Sequence, residues 1–366
     1  MKSKIIWLGL IIVPAILIIV GVSNKTSGNI IKIGVMAPLS GEYSVAGENL
    51  VKGINVARDS YVKAHPNMKV DIVVEDDGFN VGKGVSAYKK LKGIDKVDGL
   101  ISLSTPVIDA LYQDITKTEI PVMQIGVQTV GIGPDNIFQN SPAAGDGILA
   151  LADYINNKLN LSKLAVVYDT TPGGTIFYTV FRNNYKKTSD SYPITSKENI
   201  RSQVNSIIGG KYDGVVMMNS PENGAFITNE LIRSGYRGQL IYDAQLQTGF
   251  ADYKRILGDM KIIDGAISIW FKDGDRTAFN DKYKQKYNTE PGFIADFGYD
   301  SFNTLMNAYS KNSGKWLSNI QNTKTIGASG KISFDKDGVR KQDISINQVK
   351  NGEIMTIDVV EAYLGE

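Results

Sequence analysis

The chain has 366 residues, of which 42% are hydrophobic and 21% are charged, so it is long enough for about two domains. It contains no cysteine, which excludes disulfides, zinc–thiolate sites and thiol nucleophiles. Its one histidine, His65, leaves no basis for a Ser-His-Asp triad or a multi-histidine metal site. Lysine and arginine number 40 against 38 aspartates and glutamates, and a net charge of +2 is not the basic footprint of a nucleic-acid-binding protein. We therefore expect no metal, no cofactor and no nucleic-acid partner.

The first 28 residues have the layout of an export signal or a membrane anchor. Lys2 and Lys4 precede an 18-residue run without a charge, residues 5–22. A short basic segment before an apolar run is typical of a secretory signal, and about 20 apolar residues are enough to span a bilayer. A cleaved signal peptide and a retained N-terminal membrane anchor both fit this pattern. In either case we expect the rest of the chain to work outside the cytoplasm, in the periplasm or at the cell surface, or secreted after cleavage.

After a polar linker at residues 24–29, short apolar strands alternate with helices. Strands are predicted at residues 30–36, 70–74, 99–103, 121–125, 164–168, 214–218, 239–242 and 266–271, and helices at 49–61, 85–91, 108–115, 144–159, 177–185, 225–234, 279–287 and 300–311. The C-terminal part changes to three short strands at 331–334, 343–349 and 354–360. This alternation indicates β-α units and parallel sheets in an α/β fold, and the length favours two lobes.

Polar residues follow the predicted strands. Ligands of open α/β sheets bind beyond the carboxyl ends of the strands, so these residues are candidates for a ligand site. They are Ser104, Thr105, Gly126, Gln128 and Thr129 in the first half of the chain, and Thr171, Ser220 and Gln245 in the second. Hydroxyl and amide groups can hold a small polar ligand without doing chemistry on it. The alternative for each hydroxyl or amide is a cap on the helix that follows.

Catalytic motifs give no comparable signal. Residues 78–84 (GFNVGKG) resemble a phosphate-binding loop, but they are one residue short between the glycines and lack the Ser or Thr after Lys83. Asp76 and Asp77 could serve an enzyme that uses carboxylates, yet adjacent strand residues point to opposite faces, so a role in forming the turn is the better interpretation. We expect no enzyme activity.

Five segments in a consistent order carry a family resemblance. They are IKIGVMAPLSG (residues 31–41), VVEDDGFNVGKGVSAYKKL (73–91), VDGLISLST with IPVMQ (97–105 and 120–124), SKLAVVYD (162–169) and GKISFDKDGVRKQDISINQVKNG (330–352). Together they resemble the extracellular solute-binding proteins of the branched-chain amino-acid (Leu/Ile/Val) type, the periplasmic binding proteins with type I fold. The resemblance spans about residues 30 to 360.

The resemblance implies two Rossmann-like lobes with parallel-rich sheets, joined by three crossovers near Ser141, Ile269 and Phe334. The N-terminal lobe would comprise residues 29–141 and 270–334, and the C-terminal lobe residues 142–269 and 335–366. The lobes would close by hinge motion over a ligand held between them. A monomer is the expectation from the family.

In amino-acid-binding members of the family, a hydroxyl pair after the third strand and groups after the fourth hold the ligand carboxylate. Ser104 and Thr105, with Gly126, Gln128 and Thr129, match those positions. In the second lobe, an expected aromatic residue falls at about Gly173, and the acid expected to pair with a ligand ammonium falls at about Ala244 or Gln245. Glu222, Asp243 and Asp296 are possible substitutes for that acid, and a neutral or anionic ligand stays open.

The function predicted from these observations is capture of a small polar solute (an amino acid, an amide or a small carboxylate) between the lobes. The solute would be delivered to the membrane permease of an ABC-type importer. The alternative is a ligand-sensing extracellular receptor module with the same fold and no transport.

Overall fold

The computed structural model describes residues 30–126 and 136–362. The predicted signal or anchor, residues 1–28, lies outside this part of the chain, as do Gln128 and Thr129. Within the described ranges, fifteen strands and twelve α-helices alternate for most of the length. No helix in these ranges combines the length and the hydropathy needed to cross a bilayer.

The strands are β1 (Ile30–Ala37), β2 (Lys69–Asp76), β3 (Gly99–Ser102), β4 (Val122–Gln124), β5 (Ile137–Pro142), β6 (Lys163–Asp169), β7 (Thr188–Ile194), β8 (Gly214–Met218), β9 (Gln239–Tyr242), β10 (Ile267–Phe271), β11 (Lys324–Gly327), β12 (Gly330–Ser333), β13 (Val339–Arg340), β14 (Ile344–Lys350) and β15 (Glu353–Val360). The helices are α1 (Ser44–Ala64), α2 (Val81–Lys90), α3 (Thr105–Ile115), α4 (Ala144–Lys158), α5 (Pro172–Asn184), α6 (Ile200–Gly210), α7 (Pro221–Arg233), α8 (Gln245–Thr248), α9 (Phe250–Leu257), α10 (Thr277–Tyr287), α11 (Ala295–Lys311) and α12 (Trp316–Gln321).

The strands form two large sheets. The first has the order β13-β5-β4-β3-β1-β2, and all its pairings are parallel. The second has the order β15-β14-β10-β9-β8-β6-β7, with antiparallel pairing only at β14 and β15. The hairpin of β11 and β12 stands apart from both. Two parallel-rich sheets covered by helices confirm the predicted fold class.

Close helix packing holds the first sheet against its helices. The apolar side chains of Leu50, Ile54 and Tyr61 recur at helical spacing along α1 and are buried. This face packs on α11, where Phe302 joins the same core. Gly53 permits the close approach, because a Cβ atom there would stand 1.8 Å from the carbonyl oxygen of Ala295.

The chain passes between the sheets three times. It leaves the first sheet after β5 and enters α4, returns from β10 to α10, and leaves again after β13 to form β14. β10 therefore places Trp270 and Phe271 in the second sheet, and β13 places Val339 and Arg340 in the first. The predicted boundary between residues 269 and 270 therefore moves to the end of β10 at Phe271, and the one between residues 334 and 335 moves to the end of β13 at Arg340.

The sequence pattern did not predict several of these elements. Edge strand β7 (TSDSYPI) is polar and contains Pro193, so it lacks the apolar run that marks a buried strand. β5 has only two apolar residues before its polar end, and α9 spans only eight residues. The apolar residues of α6 alternate with polar residues, and the helix ends in two glycines. The short helix α12 and strand β11 were missed for the same reason.

Candidate functional site

The carboxyl ends of both sheets face the junction between them. β5 is parallel to β4, and its last residue, Pro142, leads directly into the first crossover. β10 is parallel to β9, and its last residue, Phe271, leads into the second. Lys272, the next residue, contacts the third crossover through its backbone N–H, which donates to the carbonyl oxygen of Asp343 at 2.8 Å. The residues that follow the parallel strands therefore lie on the junction side of each sheet.

Ser104 and Thr105 follow β3 but have different surroundings. Ser104 is fully buried, and its hydroxyl donates to Oδ1 of Asp77 at 2.8 Å. Thr105 is the first residue of α3 and is half-buried. Of these two side chains, only that of Thr105 is partly exposed.

Gly126 lies beside Thr105 at the end of β4. A Cβ atom at residue 126 would stand 2.1 Å from Oγ1 of Thr105 and 2.8 Å from the carbonyl oxygen of Leu103. Only glycine fits here, because both neighbours belong to tightly placed segments. The Ser141 hydroxyl donates to the carbonyl oxygen of Gly126 at 3.2 Å, which ties this loop to the first crossover.

The adjacent carboxyl groups of Asp76 and Asp77 serve different roles. Burial acts to raise the pKa of Asp76, but hydrogen bonds from the Ser40 hydroxyl and from the N–H groups of Leu39 and Gly78 outweigh it and lower the pKa. Asp76 thus joins the loops after β1 and β2, as the turn interpretation predicts.

Asp77 is completely buried. Burial raises its pKa, against the effect of hydrogen bonds from the Phe79 N–H and the Ser104 hydroxyl. Its Oδ2 atom has no hydrogen-bond partner within the described residues. Asp77 therefore holds Ser104 in place and does not face the solvent.

In the second sheet, Asp169 organises the strand ends. This buried carboxylate accepts hydrogen bonds from Nδ2 of Asn219 at 2.8 Å, from the N–H of Ser220 at 2.7 Å and from Nδ2 of Asn223 at 3.1 Å. It holds the end of β6 against the loop that leads into α7. The Ser220 side chain is exposed beside it at the start of α7 and makes no capping hydrogen bond.

Thr171 and Gln245 make hydrogen bonds within their own lobe. The Thr171 hydroxyl is exposed and accepts from the N–H of Gly174 at 3.2 Å, which caps α5. Gln245 is buried: its Nε2 donates to the carbonyl oxygen of Met217 at 2.9 Å, and its Oε1 accepts from the Tyr253 hydroxyl at 3.2 Å. Both the nitrogen and the oxygen of the Gln245 amide are thus hydrogen-bonded inside the second lobe, whereas the Thr171 and Ser220 side chains are exposed.

The three acids considered as ammonium partners differ in their contacts. Glu222 is half-buried and pairs with Lys197 at 3.0 Å, and Asp296 is buried and pairs with Arg276 at 3.4 Å. Asp243, directly after β9, is buried and forms no ion pair within the part of the chain that the structure describes.

Asp243 carries an unusual pKa. Burial raises it to about 7, with the negative charge of Asp169 adding to the rise and a 2.9 Å hydrogen bond from the Gln245 N–H opposing it. A cation placed beside such a buried carboxyl group stabilises its ionised form and lowers its pKa.

A small cavity of about 50 Å³ lies next to Asp243, at the ends of β9 and β10. Its lining is mostly apolar and consists of Gly147, Ile148, Phe177, Asp243, Ala244, Ile269, Trp270, Phe271 and Ile344. Phe177 and Trp270 were not among the predicted site residues, although the aromatic pair that ends a buried strand (Trp270 and Phe271) was a usable signal. The structure brings an acid and aromatic side chains together at the junction.

Larger cavities lie elsewhere. One of about 550 Å³ runs along α4 and the last described residues, and another of about 590 Å³ flanks the β11–β12 hairpin. None of the sequence-predicted site residues within the described ranges lines either cavity. No cluster of three or more potential metal ligands occurs in residues 30–126 and 136–362.

A buried guanidinium joins the crossovers. Arg340 has no exposed surface, and its nitrogens donate to the carbonyl oxygens of Lys331, Asn140 and Ser329 and to the Ser329 hydroxyl, at 2.8–3.1 Å. Asp300 accepts from the N–H and hydroxyl of the same Ser329. Burial lowers the pKa of Arg340 to about 10, against the charge of Asp300, so it stays protonated at neutral pH. This network was not predicted, because only the fold brings its members together.

Comparisons with known proteins agree with this architecture. A family model described as periplasmic binding protein matches residues 30–353. A Leu/Ile/Val-binding protein homolog of Brucella melitensis is 30% identical over 145 residues, which is 38% of this chain and 39% of that protein. The matched region thus spans about two fifths of the length of this curated relative.

Solved structures share the fold at low sequence identity. The branched-chain amino-acid transporter substrate-binding protein of Streptococcus pneumoniae, in complex with isoleucine, is 21% identical with a TM-score of 0.72, over 91% of this chain and 99% of that chain. A solute-binding protein of an ABC transporter from R. palustris, in complex with benzoate, is 18% identical with a TM-score of 0.68, over 92% and 98% of the two chains. The resemblance inferred from the five sequence segments is confirmed. The chain belongs to the periplasmic binding protein family.

Proposed function

We propose that the protein captures a small polar solute at the junction between its two lobes, without chemical turnover, and passes it to the permease of an ABC-type importer. The observation that carries this proposal is that the carboxyl ends of both parallel sheets face one junction. Thr105, Gly126, Thr171, Ser220 and Asp243 all follow parallel strands of these sheets, and in this proposal the first two contact the solute from one side and the other three from the opposite side. Family membership supports binding of a solute outside the cytoplasm.

Among small solutes, the second lobe favours an aliphatic amino acid. Asp243 is a buried acid without an ion pair among the described residues, and its pKa of about 7 leaves it ready to ionise beside an ammonium group. The adjacent apolar cavity, with Phe177 and Trp270 in its lining, suits a short hydrocarbon side chain. On the first lobe, the Thr105 hydroxyl would donate to the solute carboxylate, together with Gln128 and Thr129. The backbone N–H of Gln245 donates to Oδ1 of Asp243 and holds this carboxyl group in place.

Thermal denaturation of the full chain in a mild detergent tests the proposal. The solutes are leucine, isoleucine, valine, their amides, benzoate and short carboxylates. A solute at a hundredfold excess over its dissociation constant stabilises the folded state by about 2.7 kcal/mol. We expect the aliphatic amino acids to raise the midpoint, and D243N to abolish that rise. A rise with benzoate alone would contradict the ammonium role of Asp243 while leaving solute capture intact. No rise with any solute would contradict capture of these solute classes.

Transport is tested separately from binding. Chemical crosslinking in the native membrane should recover permease subunits with the protein. Recovery of a sensor kinase instead would favour the alternative of a ligand-sensing receptor.

A further inference from the structure

The end of the first lobe that lies opposite the junction forms a distinct surface. The parallel strands β1 to β4 begin there, and helices α1, α3 and α11 end there. Contacts join these ends: the Lys32 ammonium donates to the carbonyl oxygen of Asp95 at 2.9 Å, and the Tyr61 hydroxyl is hydrogen-bonded to Ser310. We call this surface the first-lobe base, formed by residues 30–32, 63–71, 92–98, 114–119 and 310–316.

The first-lobe base is rich in exposed lysines. They are Lys63, Lys69, Lys92, Lys96, Lys117, Lys311 and Lys315, and none of them forms an ion pair within the described part of the chain. The exposed carboxylates of the same surface are Asp71, Asp98, Asp114 and Glu119. Seven cations against four anions give a local excess of positive charge on a chain whose total charge is only +2.

Two apolar side chains lie among these lysines. Ile30 is 45% exposed and Ile94 is 74% exposed. Exposed aliphatic groups surrounded by lysines are the combination that binds the headgroup region of an anionic bilayer.

The chain enters the described structure at this same surface. Ile30 is the first described residue, and the polar linker of residues 24–29 precedes it in the sequence. Ser23 separates that linker from the apolar run of residues 5–22. The seven residues 23–29 reach at most about 25 Å, so a bilayer that holds residues 5–22 would lie close to the first-lobe base.

Helix polarity offers a competing account of the lysines. Cations are favourable at the C-terminal ends of helices, and the second lobe also carries them, for example at Lys158 and Lys211. Helix polarity does not account for the exposed Ile94, nor for the entry of the chain at the lysine-rich end.

We propose that residues 5–22 are retained in a membrane and that the first-lobe base rests on the anionic headgroups of that membrane. The lysines bind the headgroups, and Ile30 and Ile94 enter the interfacial region.

Single-cysteine labelling of the full chain tests the proposal, because the natural sequence has no cysteine. N67C labels the first-lobe base, and N160C labels an equivalent exposed loop that follows a helix of the second lobe. Each variant carries an environment-sensitive dye and is placed in vesicles of neutral phosphatidylcholine or of phosphatidylcholine with one third phosphatidylglycerol. We expect a blue-shifted, lipid-quenchable signal only for N67C, only in anionic vesicles, and lost in high salt.

Charge reversal supplies the matched comparison. In the N67C background, K69E/K92E/K117E should lower the ratio of molecules whose first-lobe base contacts lipid to molecules whose base does not by at least about tenfold. K158E/K186E/K211E, of equal charge change in the second lobe, should leave it unchanged. The proposal would be overturned if N67C and N160C gave equal signals, or if the N67C signal did not depend on lipid charge. It would also be overturned if K69E/K92E/K117E left the N67C signal unchanged, or if the full chain did not associate with vesicles.

Discussion

The Ser104 hydroxyl donates a 2.8 Å hydrogen bond to Oδ1 of Asp77, and both side chains are fully buried. The proton of Ser104 is therefore committed to a neighbouring carboxyl group and is not offered to a solute. This relationship separates two adjacent hydroxyls, Ser104 and Thr105, that the sequence pattern treats alike.

S104A and T105V should therefore have different effects. We expect S104A to destabilise the fold by about 1–3 kcal/mol, because Asp77 loses a buried partner, and to leave solute affinity within about twofold. T105V should lower affinity about tenfold or more, because it removes a donor to the solute. Urea denaturation and calorimetric titration measure the two quantities, with T105S as the control that keeps the hydroxyl. An affinity loss in S104A as large as that in T105V would contradict this assignment.

Asp243 should make the fold less stable as the pH rises. Its pKa is about 7 in the folded state against an ordinary value of 3.8, so the unfolded chain releases this proton at lower pH. The stability of the wild-type protein relative to D243N should fall between pH 4 and 7 and stay constant above 7, by at most about 4 kcal/mol. Urea midpoints of both proteins across this range give the difference curve. A flat curve would show that Asp243 ionises as readily in the fold as in the unfolded chain.

Binding of an amino acid should release protons at pH 6. Asp243 is mainly protonated at that pH, and an ammonium group brought beside it favours the ionised form. Titration calorimetry in two buffers with different ionisation heats detects the released proton. D243N lacks the titrating carboxyl group and should show no proton release with an amino acid, and a solute that lacks an ammonium group should cause no release with either protein.

G126A should impair the first-lobe side of the site. The added methyl group would meet Oγ1 of Thr105 at 2.1 Å, so either the helix start or the loop must move. We expect a stability loss of about 1–3 kcal/mol and a clear loss of affinity. G93A is the matched control, because a Cβ atom there meets nothing within 4 Å. Normal solute binding by G126A would show that this loop is not part of the site.

R340L should destabilise the crossovers. The substitution removes the donors that bind Lys331, Asn140 and Ser329, and it takes away the positive charge near Asp300, so we expect a loss of about 3–5 kcal/mol in urea denaturation. R340K keeps the charge but loses the planar guanidinium geometry, so its stability should lie between that of R340L and that of the wild type. A value for R340L within about 1 kcal/mol of the wild type would contradict a structural role for this network.

The sequence alone determined the fold class and the position of most elements. Apolar runs such as LAVVY of β6 and helical spacing such as that of α1 are local patterns, and local patterns suffice to place strands, helices and parallel sheets. The order of five segments was enough to predict the family. Polar residues at strand ends also predicted which edge of each sheet carries the candidate site.

The tertiary structure decided which of those residues are buried and which stay exposed. Burial and hydrogen bonding depend on neighbours distant in sequence: Asp77 lies 27 residues from Ser104, and Met217 lies 28 residues from Gln245. Such contacts withdraw Ser104 and Gln245 from the junction, and burial gives Asp243 its raised pKa. No local pattern encodes these effects, because exposure and electrostatic environment arise only when the two sheets and their crossovers are assembled.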